Sequence, residues 1–122
     1  MSLAARIVSA GLSAINAQAI QGTVAAGLTA LGTTQANALA IGADVNQFTT
    51  VAAGTGAVLP PMNPGDSCVI FNKGANALLV YPPVGGTINS LGLNAGYSVA
   101  TATPSCYVRC ISPTVFIASQ SA

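Results

Sequence analysis

Acid–base or nucleophilic chemistry would depend on very few side chains in this sequence. The chain has no histidine, and its only acids and its only lysine are Asp44, Asp66 and Lys73. A serine or cysteine nucleophile needs a neighbouring base to activate it. Each aspartate follows or occupies a glycine-containing turn, where a carboxylate ordinarily caps backbone amides. We therefore expect the two aspartates to hold their own turns rather than to converge as a catalytic pair, and we expect no enzymatic activity.

The three cysteines, Cys68, Cys106 and Cys110, do not form a recognisable metal site. A structural zinc ion takes four thiolate or imidazole ligands, so a chain with three cysteines and no histidine cannot complete the set. If residues 105–111 form a strand, the Cα atoms of Cys106 and Cys110 are about 13 Å apart, beyond the roughly 7 Å limit for a disulfide between them. Two alternatives stay open: a bridge from Cys68 to one of the other two across strands, or three free thiols packed as small hydrophobic side chains.

Glycine-rich and tyrosine-containing segments offer no clearer site. Gly54-Thr55-Gly56 and Gly85-Gly86 are not followed by the Gly-Lys-Ser/Thr sequence or the helix of a phosphate-binding loop, and we interpret both as turns. Tyr81, Tyr97 and Tyr107 could stack on a sugar, but tyrosines spread over several strands are more typical of core or interface positions. We predict no catalytic, cofactor-binding or metal-binding residue and no small-molecule substrate.

Scarcity of charge is the strongest feature of the composition. Only 4% of the residues are charged and 52% are hydrophobic, whereas about 25% charged residues is usual in a soluble domain. A monomer with so few charges has little protection against self-association, which predicts burial against other subunits. A monomer solubilised by Ser, Thr and Asn is the alternative. The net charge of +1 without a basic cluster argues against nucleic acid and anionic lipid as partners. The sequence has no uninterrupted run of about 18 apolar residues, so we predict no transmembrane helix.

Two of the three cations fall within β-like sequence. Lys73 precedes Gly74 at a predicted turn, where a solvated charge discourages pairing along a sheet edge. Arg109 lies between Val108 and Cys110 in an otherwise apolar segment. Its side chain either points to solvent or pairs at a subunit boundary, and the shortage of acids within one chain favours the boundary.

Residues 1–34 differ in composition from the rest of the chain, being rich in alanine and interrupted by glycine. Helical spacing is followed by two sets of residues: Val8, Leu12, Ile15, Ala19 and Gly22, and then Val24, Leu28 and Leu31. Each interior glycine costs about 1 kcal/mol relative to alanine, so such a helix would be marginal alone. We interpret residues 1–34 as a short, partly helical segment stabilised by other subunits, with an extended arm on a partner as the alternative.

The beginning of this segment also resembles a secretory signal. Arg6 precedes an apolar stretch over residues 7–15, and Ala17-Gln18-Ala19 has the form of a cleavage site. We interpret the segment as part of the fold. A cleaved leader, which would make the protein a secreted one, is the alternative.

From residue 35 onward the sequence favours short β-strands separated by glycine and proline. Candidate strands cover residues 37–41, 45–51, 57–59, 67–72, 77–81, 87–89, 97–101, 105–111 and 114–118. Strands at this spacing are typical of an antiparallel β-sandwich or jelly-roll-like module, so we predict a mainly β fold over residues 35–122. Residues 67–72 and 77–81 flank a Lys73–Asn76 turn and are predicted to form a hairpin. Both segments are apolar on either face, which predicts cover on both sides.

Several strings in this β region resemble small virion proteins of tailed bacteriophages, of the head decoration (cement) or head fibre type. They are GTTQANALAI (32–41), DVNQFTTVAAGTGAVLP (44–60), PGD (64–66) and VIFNKGANALLVYPPVGGTIN (69–89). The resemblance covers roughly residues 32–118 and consists of turn and strand patterns without a catalytic signature. It implies a β-sandwich or jelly-roll module, commonly a homotrimer, on the exterior of the particle.

Together these observations predict a structural virion protein that decorates or cements the capsid surface as a homo-oligomer, a trimer by resemblance. Its partner would be the major capsid protein, and residues 1–34 would be the capsid-facing anchor. Burying surface across the joints of a shell raises the free energy needed to separate its subunits. Two other classes stay open: a fibre tip that binds glycans or a receptor, and a secreted bacterial surface protein.

Overall fold

A computed structural model describes residues 22–101 and 105–121 of the chain as a mainly β protein with a single 3₁₀ turn at Gln35–Asn37. Its strands are β1 (Val24–Thr29), β2 (Leu39–Ala40), β3 (Val45–Thr50), β4 (Gly56–Val58), β5 (Ser67–Asn72), β6 (Leu78–Tyr81), β7 (Thr87–Ile88), β8 (Tyr97–Val99), β9 (Cys106–Ser112) and β10 (Val115–Gln120). The β-rich fold predicted from the sequence is confirmed. No helix within the described ranges has the length and apolar character needed to span a membrane.

The strands form two mixed sheets rather than antiparallel ones. The larger sheet has the order β1-β3-β5-β9-β10-β7 and the smaller one the order β2-β4-β6-β8. Neighbours are parallel from β1 to β5 and from β2 to β6, and β7 is parallel to β10. The β5–β9, β9–β10 and β6–β8 pairs are antiparallel. The prediction of an antiparallel arrangement was wrong because short strands with tight turns do not reveal which strand each one pairs with.

Parallel pairing follows from the path of the chain, which moves from one sheet to the other after each strand from β1 to β8. One strand of the larger sheet and the next strand of the smaller sheet make one turn of this winding, which we call a coil. Three coils, β1–β2, β3–β4 and β5–β6, stack in order, so each strand lies beside the equivalent strand of the next coil. The later strands β8, β9 and β10 then close the stack by antiparallel pairing.

Side chains from both sheets enter one hydrophobic core. Alternate residues of β5 and β9 are buried, as expected for strands with one face on the core. The largest fully buried side chains include Phe48, Ile70 and Phe116 from the larger sheet and Leu78 and Val80 from the smaller one. The other face of β5 is half-buried within the described part of the chain.

The predicted hairpin between residues 67–72 and 77–81 is wrong. These segments are β5 and β6, which belong to different sheets. The connection between them is a corner: Asn72 accepts a hydrogen bond from the amide of Gly74 at 2.9 Å and donates one to the carbonyl of Asn76 at 3.0 Å. These side-chain bonds turn the chain across the core instead of back along the same sheet.

The predicted helical repeat at Val24, Leu28 and Leu31 is also wrong, because residues 24–29 form β1, the edge strand of the larger sheet. Parallel pairing with β3 places these residues in the larger sheet of their own chain, which is neither the predicted helix nor the alternative of an extended arm on a partner. The earlier set, Val8 to Ala19, and the cleavage-site sequence Ala17-Gln18-Ala19 lie outside the described residues.

Candidate functional site

A cleft of about 580 Å³ lies at one end of the strands. Residues 42–45, 60–62 and 65–69 line it, together with Gly22. Both Asp44 and Asp66 face this cleft, which the sequence did not predict, since each was expected to act only in its own turn. Their convergence makes the cleft the place to test for chemistry.

Asp44 is committed to the loop that precedes β3. Its Oδ2 accepts hydrogen bonds from the backbone amide of Thr23 at 2.8 Å and from the Thr23 hydroxyl at 3.1 Å. The Thr23 hydroxyl in turn accepts a bond from the amide of Asp44 at 3.1 Å. This reciprocal pair joins the start of β1 to the start of β3, so Asp44 bonds to a residue 21 places earlier instead of capping its own turn as the sequence predicted.

Asp66 caps the turn before β5. Its Oδ2 accepts a hydrogen bond from the backbone amide of Asn63 at 2.9 Å, and its own amide donates to the Asn63 carbonyl at 3.0 Å. The Asp66 carbonyl accepts a bond from the amide of Cys110, which ties the turn to β9. Capping of its own turn is therefore confirmed for Asp66, whereas Asp44 joins two separate segments of the chain.

The cleft offers little beyond these two carboxylates. Within residues 22–101 and 105–121, no group of three or more His, Cys, Asp or Glu side chains is arranged to hold a metal ion. Ser67 and Cys68 also line the cleft, but the Cys68 side chain is 3% exposed and points into the core. With both carboxylates bound to backbone amides, the arrangement serves to fix loops.

All three cysteines are free and buried. Burial raises the pKa of the Cys68 thiol to about 12, and the nearby Cys106 and Asp44 contribute to this rise. Burial also raises the pKa of Cys106 to about 11 and that of Cys110, where Asp66 adds to the effect. A protonated, inaccessible thiol is a poor nucleophile and metal ligand. Of the two alternatives from the sequence, the structure has three packed thiols.

The three tyrosines do not share a surface. Tyr81 is buried, with its hydroxyl donating to the Thr33 carbonyl at 3.4 Å. The Tyr97 hydroxyl, in the smaller sheet, accepts a bond from Gln120 at 3.1 Å. Tyr107 is exposed on the larger sheet. They therefore make no common platform for stacking on a sugar.

A different feature, the outward face of β9 and β10, stands out by its composition. Exposed and buried residues alternate along both strands. Six residues have exposed side chains on what we call the outer face: Tyr107, Arg109, Ile111, Val115, Ile117 and Ser119. The isoleucines and the valine are 52%, 48% and 39% exposed in the order Ile111, Ile117 and Val115. Exposed β-branched side chains clustered on one sheet face are typical of an interaction surface.

Arg109 is the one charge on this face. Its guanidinium donates to the Tyr107 hydroxyl at 2.6 Å and lies 5.6 Å from the centre of that ring. The hydrogen bond with Ser67, and then the one with Arg109, lower the pKa of Tyr107. In the register of the sheet Arg109 lies between Ser67 and Ile117. Its contacts within the chain are thus a phenol and neutral neighbours rather than a carboxylate, and its exposure in one chain is compatible with both positions expected for it, solvent and a subunit boundary.

Two buried asparagines were missed by sequence reasoning. Asn46 and Asn72 are fully buried in β3 and β5. The Asn72 side chain donates to the carbonyls of Asn76 and Val99, whereas Asn46 Oδ1 has no hydrogen-bond partner among the described residues. The available signal was an asparagine at an inward position of an alternating strand, which is costly unless its polar atoms are bonded.

These features describe a β-rich scaffold with rigid corners, unreactive thiols and one apolar outer face. In comparisons with known proteins, no family model, no curated protein and no solved structure matches the chain.

Proposed function

We propose that this chain is a structural protein of a bacteriophage particle that decorates or cements the outside of the capsid as a homo-oligomer, most simply a trimer. The finer fold belongs to the same proposal: the two sheets pack face to face as a sandwich-like module. The virion assignment is supported by the resemblance of residues 32–118 to head decoration and head fibre proteins.

The observation that carries self-association is the outer face of β9 and β10. Three β-branched apolar side chains, Ile111, Val115 and Ile117, are exposed on the same face as Arg109, whose guanidinium donates to the Tyr107 hydroxyl. In a chain with 4% charged residues, charge repulsion does little to prevent two copies from associating through this face. Burying apolar area is favourable by about 25 cal/mol per Å². A second copy carries the same apolar face, so it is the partner that matches this surface in composition.

Attachment to the shell is assigned to the opposite end of the larger sheet. β1 is at one edge of that sheet, and β3 and β5 separate it from β9. Self-association through β9 and β10 would therefore leave the N-terminal end of the chain free to contact the major capsid protein. A role in holding a shell needs two separate surfaces of this kind.

The direct experiment is a cryo-EM map of the phage particle whose genome encodes the chain, together with mass spectrometry of purified particles. We expect density for the two-sheet module on the capsid exterior, grouped in small symmetric clusters. Density at the end of a tail or head fibre would favour the receptor-binding alternative. Absence from particles, with the protein recovered from the host surface after cleavage near residue 19, would identify the secreted alternative.

A further inference from the structure

The larger sheet ends in a strand that is too short to cover its neighbour. In the described part of the chain β7 lies at the edge of this sheet, and it has two residues whereas β10 has six. β7 lies beside Val115 and Phe116 only. Backbone groups along an uncovered strand are a template for pairing with another copy. What bonds to the rest of β10 therefore decides how copies can associate.

The backbone of Asn89 makes the last regular bond of β7 and then leaves the sheet. Its amide donates to the Phe116 carbonyl at 2.9 Å. In a regular parallel ladder the next two bonds would join Ala118 to the carbonyl of Asn89 and the amide of Leu91. Asn89 instead has a φ of 53°, and the Leu91 amide donates to the Ile88 carbonyl at 3.1 Å. Both bonds that Ala118 would make in the ladder are therefore lost to the backbone of this segment.

The side chain of Asn89 supplies both of these bonds. Its Oδ1 accepts a hydrogen bond from the Ala118 amide at 2.9 Å, and its Nδ2 donates one to the Ala118 carbonyl at 3.0 Å. A carboxamide has the donor and the acceptor of a peptide group, so it can take the place of a neighbouring strand. Asn89 is exposed and Ala118 is buried. An exposed side chain thus caps the backbone of a buried strand residue.

A second carboxamide caps β8, the edge strand of the smaller sheet in the described part of the chain. Gln120 Oε1 accepts from the Ala100 amide at 2.9 Å, and Gln120 Nε2 donates to the Ser98 carbonyl at 2.8 Å. These two groups flank Val99, and a strand running parallel to β8 would bond to the same two. Gln120 is the last residue of β10, so each sheet is capped by one side-chain amide.

The usual means of protecting a sheet edge are missing from these strands. Lysine and proline commonly block edge pairing, but the sequences of β7, β8 and β10 contain no charged residue and no proline. Residues 115–119 are largely apolar and free of glycine, which is typical of segments that pair with their own copies. Side-chain amides are therefore the feature that can protect β10.

We propose that Asn89 and Gln120 prevent copies of this chain from pairing strand to strand. By bonding to the backbone of Ala118, Ser98 and Ala100, they restrict self-association to contacts between side chains. The partner that they exclude is a second copy, because β10 of another copy presents the same uncharged strand.

This inference goes beyond the proposed function and does not rest on it. A monomeric wild-type protein would remove self-association through the outer face and leave the two caps untouched. A closed oligomer of the proposed kind would benefit from them, since contacts that do not close allow continued growth.

The test compares Asn89→Ala with Asn94→Ala in the full-length protein. Asn94 is the matched control because it has a φ of 60° and its Oδ1 accepts from the Gly85 amide at 2.7 Å, in a loop rather than on a strand. Circular dichroism first checks that each variant is folded. Light scattering and thioflavin T fluorescence are then followed over a concentration series. We expect Asn89→Ala to begin to associate at a concentration at least about tenfold lower than the control, a difference of about 1.4 kcal/mol.

Asn89→Asp separates an opened edge from lost stability. This variant keeps an acceptor for the Ala118 amide and loses the donor to the Ala118 carbonyl. Its negative charge discourages pairing along the edge. We expect it to unfold at a lower urea concentration than the wild-type protein, as Asn89→Ala does, but to remain dispersed.

Association of Asn89→Ala alone, with a rise in thioflavin T fluorescence, supports the proposal. Equal association of Asn89→Ala and either Asn94→Ala or Asn89→Asp would assign it to lost stability and would overturn the proposal. Absence of association in all three variants would also overturn it. If Asn89→Ala does not fold, Gln120→Ala is compared with the same control. Association at a lower concentration than the control then supports the proposal, and association at the same concentration or none overturns it.

Discussion

Asn72, in the larger sheet, donates a hydrogen bond from its Nδ2 to the backbone carbonyl of Val99 in the smaller sheet at 3.0 Å. The same side chain bonds to Gly74 and Asn76 in the loop between β5 and β6. One buried amide thus joins the two sheets and shapes the corner that carries the chain from one to the other.

We expect Asn72→Ala to destabilise the fold by about 3 kcal/mol, because it leaves buried loop groups without partners. Asn46→Ala is a matched control: it removes the same atoms from an equally buried site, but Asn46 makes one short bond, to the Ala43 carbonyl at 2.8 Å, and its Oδ1 has no described partner. Its cost should be lower by about 1–2 kcal/mol. Urea denaturation measures both. Equal losses would mean that the corner bonds contribute nothing beyond side-chain packing.

Strand positions could be predicted from the sequence, whereas their pairing could not. Apolar runs bounded by glycine and proline located β3, β5, β6, β9 and β10 closely. The loop at Lys73–Asn76 has the composition of a hairpin turn, yet a Cβ on Gly74 would lie 2.6 Å from Cβ of Val51. That contact involves a residue of the previous coil. A tertiary contact of this kind decides between hairpin and corner and leaves no local sequence signal.

The wrong helix at Val24–Leu31 has a similarly specific cause. In a regular strand, residues three apart point to opposite faces. The pairing of β1 with β3 shifts between Ala25 and Leu28, and Gly27 has a φ of 69°. This irregularity sets Ala25 beside buried Asn46 and Leu28 beside buried Phe48. Of the predicted helical set only Leu28 packs against the core, whereas Val24 and Leu31 are 72% and 47% exposed, so the spacing did not mark a buried face.

For the candidate sites, local chemistry could be predicted and convergence could not. Turn capping by Asp66 follows from the glycine turn around it, whereas the bonds of Asp44 to Thr23 join segments 21 residues apart and have no local signal. Their common cleft depends on parallel stacking of β3 and β5, which brings the starts of these strands to the same end. The alternation of residues in β9 and β10 could be predicted from the sequence. That their outer face is uncovered in the described chain depends on the position of these strands in the larger sheet, which could not.

The native thiols should be unreactive at pH 8. Cys68, Cys106 and Cys110 are at most 3% exposed, and burial keeps each of them protonated. With a chromogenic disulfide reagent we expect no fast-reacting thiol in the folded protein and all three after denaturation in guanidinium. A fast thiol in the folded state would contradict the burial, and missing thiols after denaturation would reveal a disulfide.

Alkaline solutions should weaken the fold. Burial raises the pKa of Cys68 from 9.0 in the ordinary thiol to about 12. A raised pKa in the folded state contributes stability that is fully present below pH 9 and is lost as the pH rises toward 12. By pH 11 the loss from Cys68 is about 2–3 kcal/mol. Denaturation of Cys68→Ala, compared with the wild-type protein between pH 8 and 11, should show a shallower decline. Parallel curves would assign the decline to other groups.

Self-association should depend on the outer face. We expect Ile117→Lys to weaken it at least a hundredfold, about 3 kcal/mol, because a lysine would be buried beside Arg109 without a counter-ion. Val84→Lys is the matched control: Val84 is 84% exposed in the loop between β6 and β7 and belongs to neither β9 nor β10. Light scattering across a concentration series gives both values. A wild-type protein that is monomeric at micromolar concentration would remove the basis for this prediction.

Deletions at the N-terminal end should separate folding from attachment. Removing residues 2–21 leaves every described strand in place, so we expect a β-rich circular dichroism spectrum together with loss of binding to the particle. Removing residues 2–30 also takes away β1, whose Leu28 lies beside Phe48 in the neighbouring strand. That variant should lose further stability, since an inner strand becomes an exposed edge. If the shorter deletion still binds particles as the full chain does, the attachment surface lies on the two sheets. If it loses the β spectrum, residues 2–21 are required for the fold itself.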